Sequence, residues 1–108
     1  MITDERITAY INSLDSGDGD ICDAIAKEAV ESFVPIIRRE TAALLKTMVA
    51  MKQPVRILEV GTAVGYSALL MTRVMPADAH ITTIEKFEKR IPIAKANFAK
   101  AGVEDRIT

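Results

Sequence analysis

This 108-residue sequence has a single cysteine, no long apolar run and no strong net charge of one sign. The single cysteine, Cys22, excludes an intrachain disulfide. Set among apolar helix residues, it reads as a small packed hydrophobe. No apolar stretch approaches the roughly 18 residues a membrane span needs. Asp4, Glu5 and Arg6 interrupt any leader-like run at the start. A reducing cytoplasm and no membrane partner are therefore expected. Formal net charge is only −1, which by itself points to no polyanionic partner. Apolar residues make up 49% of the chain, enough for one packed domain.

The charge is unevenly distributed. Residues 1–32 hold eight acids (Asp4, Glu5, Asp15, Asp18, Asp20, Asp23, Glu28, Glu31) against Arg6 and Lys27. Residues 33–108 hold twelve bases against seven acids, a balance compatible with an anionic substrate, RNA included. The acid-rich loop Asp15–Asp20 does not fit a calcium loop. Counting from Asp18, the sixth position is Asp23 where glycine is needed, and the twelfth is Ala29 where glutamate is needed.

Apolar spacing predicts a short amphipathic helix over 4–14, carried by Ile7, Tyr10, Ile11 and Leu14. A second is predicted over 21–32, with Asp20 as its cap and Ile21, Ile25 and Ala29 on one side. Proline suits a first turn, so a third helix is expected from Pro35 or Ile36, with a stripe of Ile37, Leu44, Leu45, Met48 and Val49, ending at Lys52-Gln53-Pro54. Residues 55–60 read as a strand covered on both faces, since apolar residues dominate without strict alternation. Then come a helix over 66–75, a strand over 80–85, and a helix over 88–101 that Gly102 closes. Arg106-Ile107-Thr108 reads as the opening of a third strand, where the sequence stops. This order describes N-terminal helices (residues 1–33), then the first half of a doubly wound parallel α/β sheet (residues 34–108).

In such sheets ligands bind at the carboxyl ends of strands. The turn Gly61-Thr62-Ala63-Val64-Gly65 falls at that place. Gly61 permits a sharp turn and close approach of a ligand, and Gly65 does the same where the helix begins. The Gly61-x-x-x-Gly65 spacing differs from the G-x-G-x-x-G of dinucleotide folds, so a diphosphate cradle is not indicated. Glu59 adds negative charge beneath the turn and suits a ligand with a positive centre. Glu85 lies 24 positions after Gly61, an offset at which an acid accepts hydrogen bonds from ribose hydroxyls.

The run Leu58-Glu59-Val60-Gly61-Thr62-Ala63-Val64-Gly65-Tyr66-Ser67-Ala68 resembles the first motif of S-adenosylmethionine-dependent O-methyltransferases. It resembles most closely the metal-dependent catechol and caffeoyl-CoA type and its bacterial relatives. Thr82-Thr83-Ile84-Glu85 is similar to the second motif. Val34-Pro35-Ile36-Ile37 with Glu40 is similar to the segment that covers the cofactor, and residues 101–107 to the lead-in to the third strand. The resemblance implies half of a Rossmann-like class I methyltransferase fold. It also implies roles. Gly61 and the backbone of Thr62 and Ala63 would face the methionine part of S-adenosylmethionine. Ser67 would hydrogen-bond its carboxylate, and Tyr66 would pack the loop. Glu85 would hold the ribose, Lys86 would lie beside the adenine, and Ile37 would touch the cofactor from the other side. A divalent cation, usually magnesium, would bind the acceptor hydroxyl of a small molecule or of a tRNA hydroxyuridine. Its family ligands lie after the third and fourth strands and are not in this sequence, so this chain alone is expected to be inactive. Two rival readings are a non-catalytic module that self-associates, for instance as a homodimer, and half of a nicotinamide dehydrogenase.

Overall fold

In the computed structural model, residues 4–108 are described. Three helices come first: α1 (Glu5–Ser13), α2 (Asp20–Glu31) and α3 (Arg39–Lys52). Then follow β1 (Arg56–Val60), α4 (Tyr66–Thr72), β2 (His80–Ile84), a 3-10 turn (Glu88–Arg90) and α5 (Ile91–Ala101). The strands pair in parallel, with Glu59 opposite Thr83 and Val60 opposite Ile84. The expected third strand begins beside β2. Ile107 bridges Ile81 in parallel, the Thr108 N–H donates to the Ile81 carbonyl, and the Thr83 N–H donates to the Thr108 carbonyl, both at 2.8 Å. The Arg106 guanidinium fastens this segment to the end of α4 through the carbonyls of Thr72 and Pro76.

Right-handed crossovers explain where the core sits. The sheet grows in one direction, from β1 to β2 to Ile107, so both crossover helices fall on one face. On that face α4 is almost wholly buried, with Ala68, Leu69 and Leu70 at its centre. Helix α2 packs against α4 and α5, and α3 against α4. Ile81, Ala94, Phe98 and Ile107 complete the core. The opposite face is bare: Leu58 is 68% and Val60 80% exposed. Coverage of β1 on both faces, expected from its apolar composition, is therefore not found among the described residues.

Several local expectations are corrected. Helix α3 starts at Arg39, not at Pro35 or Ile36. Pro35 forces Val34 toward extended backbone, and residues 34–38 run as a strap whose Ile36 and Ile37 lean on the core. The α3 stripe is also displaced: Ala42 and Val49 are buried and Leu45 half-buried, but Leu44 and Met48 are exposed. Asp20 opens α2 rather than capping it. Gly19 at φ 85° is the cap, and Asp20 and Asp23 sit in the first turn, where negative charge suits the helix dipole. Cys22 rather than Ile21 joins Ile25 and Ala29 on the buried side, and burial pushes its thiol pKa up. Helix α4 ends at Thr72, short of Met75. The apolar residues of α1 are exposed, although the helix forms, with Asp4 capping it by accepting from the Arg6 N–H.

The loop between α1 and α2 is tied to α3 by two ion pairs, Asp18–Lys46 and Asp15–Arg39. Asp18 is buried, and its own N–H donates to the Asp23 carboxylate. No helix among the described residues is long and apolar enough to cross a membrane.

The two leucine classes of these helices are expected to behave differently. Leu70→Ala, at 0% exposure, should cost about 2–5 kcal/mol of unfolding free energy. Leu44→Ala, at 60% exposure, should cost less than about 0.5 kcal/mol. Urea denaturation followed by circular dichroism measures both.

Candidate functional site

The ends of the two strands and the turn between β1 and α4 form one hydrogen-bonded unit. Gly61 and Thr62 both donate their N–H to the Ile84 carbonyl, at 2.8 and 3.2 Å. The turn then closes on itself, the Gly65 N–H donating to the Thr62 carbonyl at 2.8 Å. Gly61 and Gly65 stand at φ 98° and 89°, and Ala63 between them is left-handed at 49°. A Cβ on Gly61 would meet nothing within 4 Å, so the turn has open space on that side. A Cβ on Gly65 would lie 2.5 Å from the Phe98 ring, so that glycine is required by packing as well as by φ. Helix α5 also holds the turn from behind, where the Asn97 side-chain amide donates to the Val64 carbonyl at 2.8 Å.

Glu85 follows β2 directly. One carboxylate oxygen accepts from the Ala63 N–H at 2.6 Å, the other from the Phe87 N–H at 2.9 Å. The Phe87 and Ala63 amides hold its pKa below the ordinary glutamate range, with a smaller contribution from Arg90. The hydrogen bond from the Ala63 N–H helps hold a non-glycine residue in left-handed backbone. Each oxygen retains a lone pair for a further donor. Lys86, next in the chain, is exposed, and the Arg90 guanidinium lies 5.0 Å from the centroid of the Phe87 ring.

Glu59 accepts from two hydroxyls, Ser67 at 2.5 Å and Thr83 at 2.7 Å. The Thr62 and Thr83 hydroxyls are 2.6 Å apart. Tyr66 is buried, and its phenol pKa is pushed up to about 12, first by burial and then by the charges of Asp18, Cys22 and Asp23. A small cavity of about 70 Å³ lies between the turn and the strap, lined by Gly61, Thr62, Ala63, Tyr66 and Ser67 on one side and by Pro35, Ile36 and Ile37 on the other. A larger groove of about 600 Å³ continues past the strap, sharing Ile36, Ile37 and Tyr66 and reaching Lys27, Arg38 and Arg39.

Of the residues singled out in the sequence, Ile37, Gly61, Thr62, Ala63, Tyr66 and Ser67 meet around the small cavity. Glu59 lies one hydrogen bond behind it and Glu85 braces it through Ala63, while Gly65 closes the turn against Phe98 and Lys86 is exposed beside Glu85. Thr83 and Asn97 were not singled out. For Thr83 the sequence carries no signal, since only the parallel register places it opposite Glu59. Asn97 had none, being a lone polar residue on an otherwise apolar helix face. Among the described residues no three His, Cys, Asp or Glu side chains gather where a metal ion could be held.

The strand, turn and helix order and the parallel pairing are those of the first half of a class I methyltransferase fold. The chain belongs to the O-methyltransferase family, whose model matches residues 13–108. It is 28% identical over 105 residues to a catechol O-methyltransferase of Niastella koreensis, covering 95% of this chain and 48% of that protein. Among solved structures it superposes on the O-methyltransferase TomG of Streptomyces achromogenes in complex with SAM, with a TM-score of 0.81 and 28% identity over 95% of this chain and 47% of that one. A methyltransferase from Geobacter sulfurreducens gives a TM-score of 0.87 at 25% identity, covering 99% of this chain and 56% of that one. The chain thus spans about half the length of the relatives it matches.

A lowered pKa in the folded state means that ionised Glu85 stabilises the fold. That contribution is complete above the unfolded-state pKa and is lost as pH falls through the folded value. The stability difference between the unaltered chain and Glu85→Gln should therefore be constant near neutrality and shrink below about pH 4. Thermal melts across a pH series measure it.

Proposed function

We propose that this chain carries the S-adenosylmethionine-binding half of an O-methyltransferase acting on a hydroxyl of a small molecule. The observation that carries the reading is the Glu85–Ala63 hydrogen bond, which joins a ribose-type acid to a glycine turn with open space at Gly61. S-adenosylmethionine supplies an activated methyl group on a sulfonium, and the protein contributes position and charge.

The residues present fit that cofactor. Gly61 leaves room for close approach of the methionine part to the backbone of Thr62 and Ala63. The spare lone pairs of Glu85 accept from two adjacent hydroxyls, while its other lone pairs keep the turn in shape. Lys86, exposed next to Glu85, is available to the adenine, and Ile37 closes the cavity from the strap. Ser67 lies within reach of the ligand's carboxylate once it turns from Glu59. Tyr66, neutral at physiological pH, packs the turn against α2 rather than exchanging protons. The divalent cation implied by the resemblance finds no ligand set among the described residues. A tRNA hydroxyuridine is the other acceptor in keeping with the family resemblance, favoured by the basic balance of residues 33–108 and by Arg38 and Arg39 at the groove.

Isothermal titration of S-adenosylmethionine into the chain tests the reading. Binding is expected, and Glu85→Ala should weaken it at least about tenfold, the loss of hydrogen bonds to a charged group. A chain that binds with the same affinity after Glu85→Ala rules the assignment out.

The apolar side chains exposed on the bare sheet face and on α1 favour a second property, self-association, with a homodimer as its simplest form. Light scattering on a size-exclusion column should give a mass above that of one chain at micromolar concentration; a monomer there removes this reading.

A further inference from the structure

The Thr62, Thr83, Glu59 and Ser67 side chains form a hydrogen-bond chain whose direction is fixed. A carboxylate only accepts, so the protons of Thr83 and Ser67 are both committed to Glu59, at 2.7 and 2.5 Å. The Thr83 oxygen has no second proton to give, so at 2.6 Å it accepts from Thr62. Three hydroxyl protons thus run one way into one carboxylate. Thr62 and Ser67 are both among the residues lining the small cavity, and their hydroxyl oxygens are left with lone pairs and no free proton. A wall of that kind favours a donor or a cation. For Ser67 to serve an anion instead, it must release Glu59, and Thr83 is then the one side chain in this chain of hydroxyls still holding that carboxylate.

Thr83 is well placed to do so. It lies directly across the parallel ladder from Glu59, on the helix-covered face of β2 with the fully buried Ile81. Its own N–H is engaged by the Thr108 carbonyl at 2.8 Å, which fixes the backbone from which the hydroxyl projects.

Building on the cofactor reading above, we infer that Thr83 is a positioning residue for the amino-acid end of the ligand. It aims Glu59, and by accepting the Thr62 proton it leaves the Thr62 hydroxyl as an acceptor toward the ligand's ammonium group. Thr83 touches no part of the ligand itself, and the adenosine end, which lies toward Glu85, does not depend on it.

Two probes separate the ends: S-adenosylhomocysteine, which carries the amino-acid part, and 5′-methylthioadenosine, which lacks it. Calorimetry on the unaltered chain, Thr83→Val and Thr83→Ser is the test. Thr83→Val should weaken S-adenosylhomocysteine about tenfold and leave 5′-methylthioadenosine nearly unchanged, and Thr83→Ser should restore the ratio. Equal weakening of both probes, or of neither, overturns the inference while leaving the cofactor reading intact. Failure of the unaltered chain to bind either probe overturns both. If Thr83→Val does not fold, Thr62→Val cuts the same chain one link earlier and must show the same selective loss.

Discussion

The Ile84 carbonyl, accepting from both Gly61 and Thr62, is the contact on which the rest of the site rests. It clamps the end of β2 to the start of the turn after β1. With that distance fixed, Glu85 has only one residue of backbone in which to reach Ala63, and it does so at 2.6 Å. Turn and acid are thereby braced by each other before any ligand arrives. Such preorganisation lowers the ordering cost that binding would otherwise carry. The same clamp aligns Glu59 with Thr83, because in a parallel ladder register is set once and then holds for every pair.

Layering follows from chain direction. Two right-handed crossovers in the same sense stack α4 and α5 on one face, and the N-terminal helices thicken that layer. The turn is therefore supported from behind by Phe98 and Asn97, while its front stays open toward Gly61. The part-buried pair Asp18–Lys46 locks the α1–α2 loop onto α3. Breaking such a pair from one side leaves a buried charge, so its value lies as much in fixing geometry as in net stability. What it fixes is the wall facing the strap, where Tyr66 and Ile37 meet.

Much of this was legible in the residues. Gly61, Gly65 and Glu85 stand at spacings that suit a strand, turn and helix followed by a second strand, and the structure has that order. The misreadings share one cause. First-turn preference placed Pro35 in a helix and periodicity placed Leu44 in the core, and both are local signals that do not tell which side of a helix meets a neighbour. Apolar composition likewise said that β1 should be covered, but composition does not carry the direction in which a sheet grows.

The sequence by itself determined the elements, the glycine turn and the acid at the end of β2, because each depends on backbone preferences and spacing within a few residues. Only the tertiary structure decided that Thr83 lies against Glu59, that Phe98 forbids a side chain at Gly65, and that Ser67 turns to a carboxylate instead of to open space. Those facts rest on strand register and helix packing. Both are settled by contacts between residues far apart in the chain, which no local pattern records.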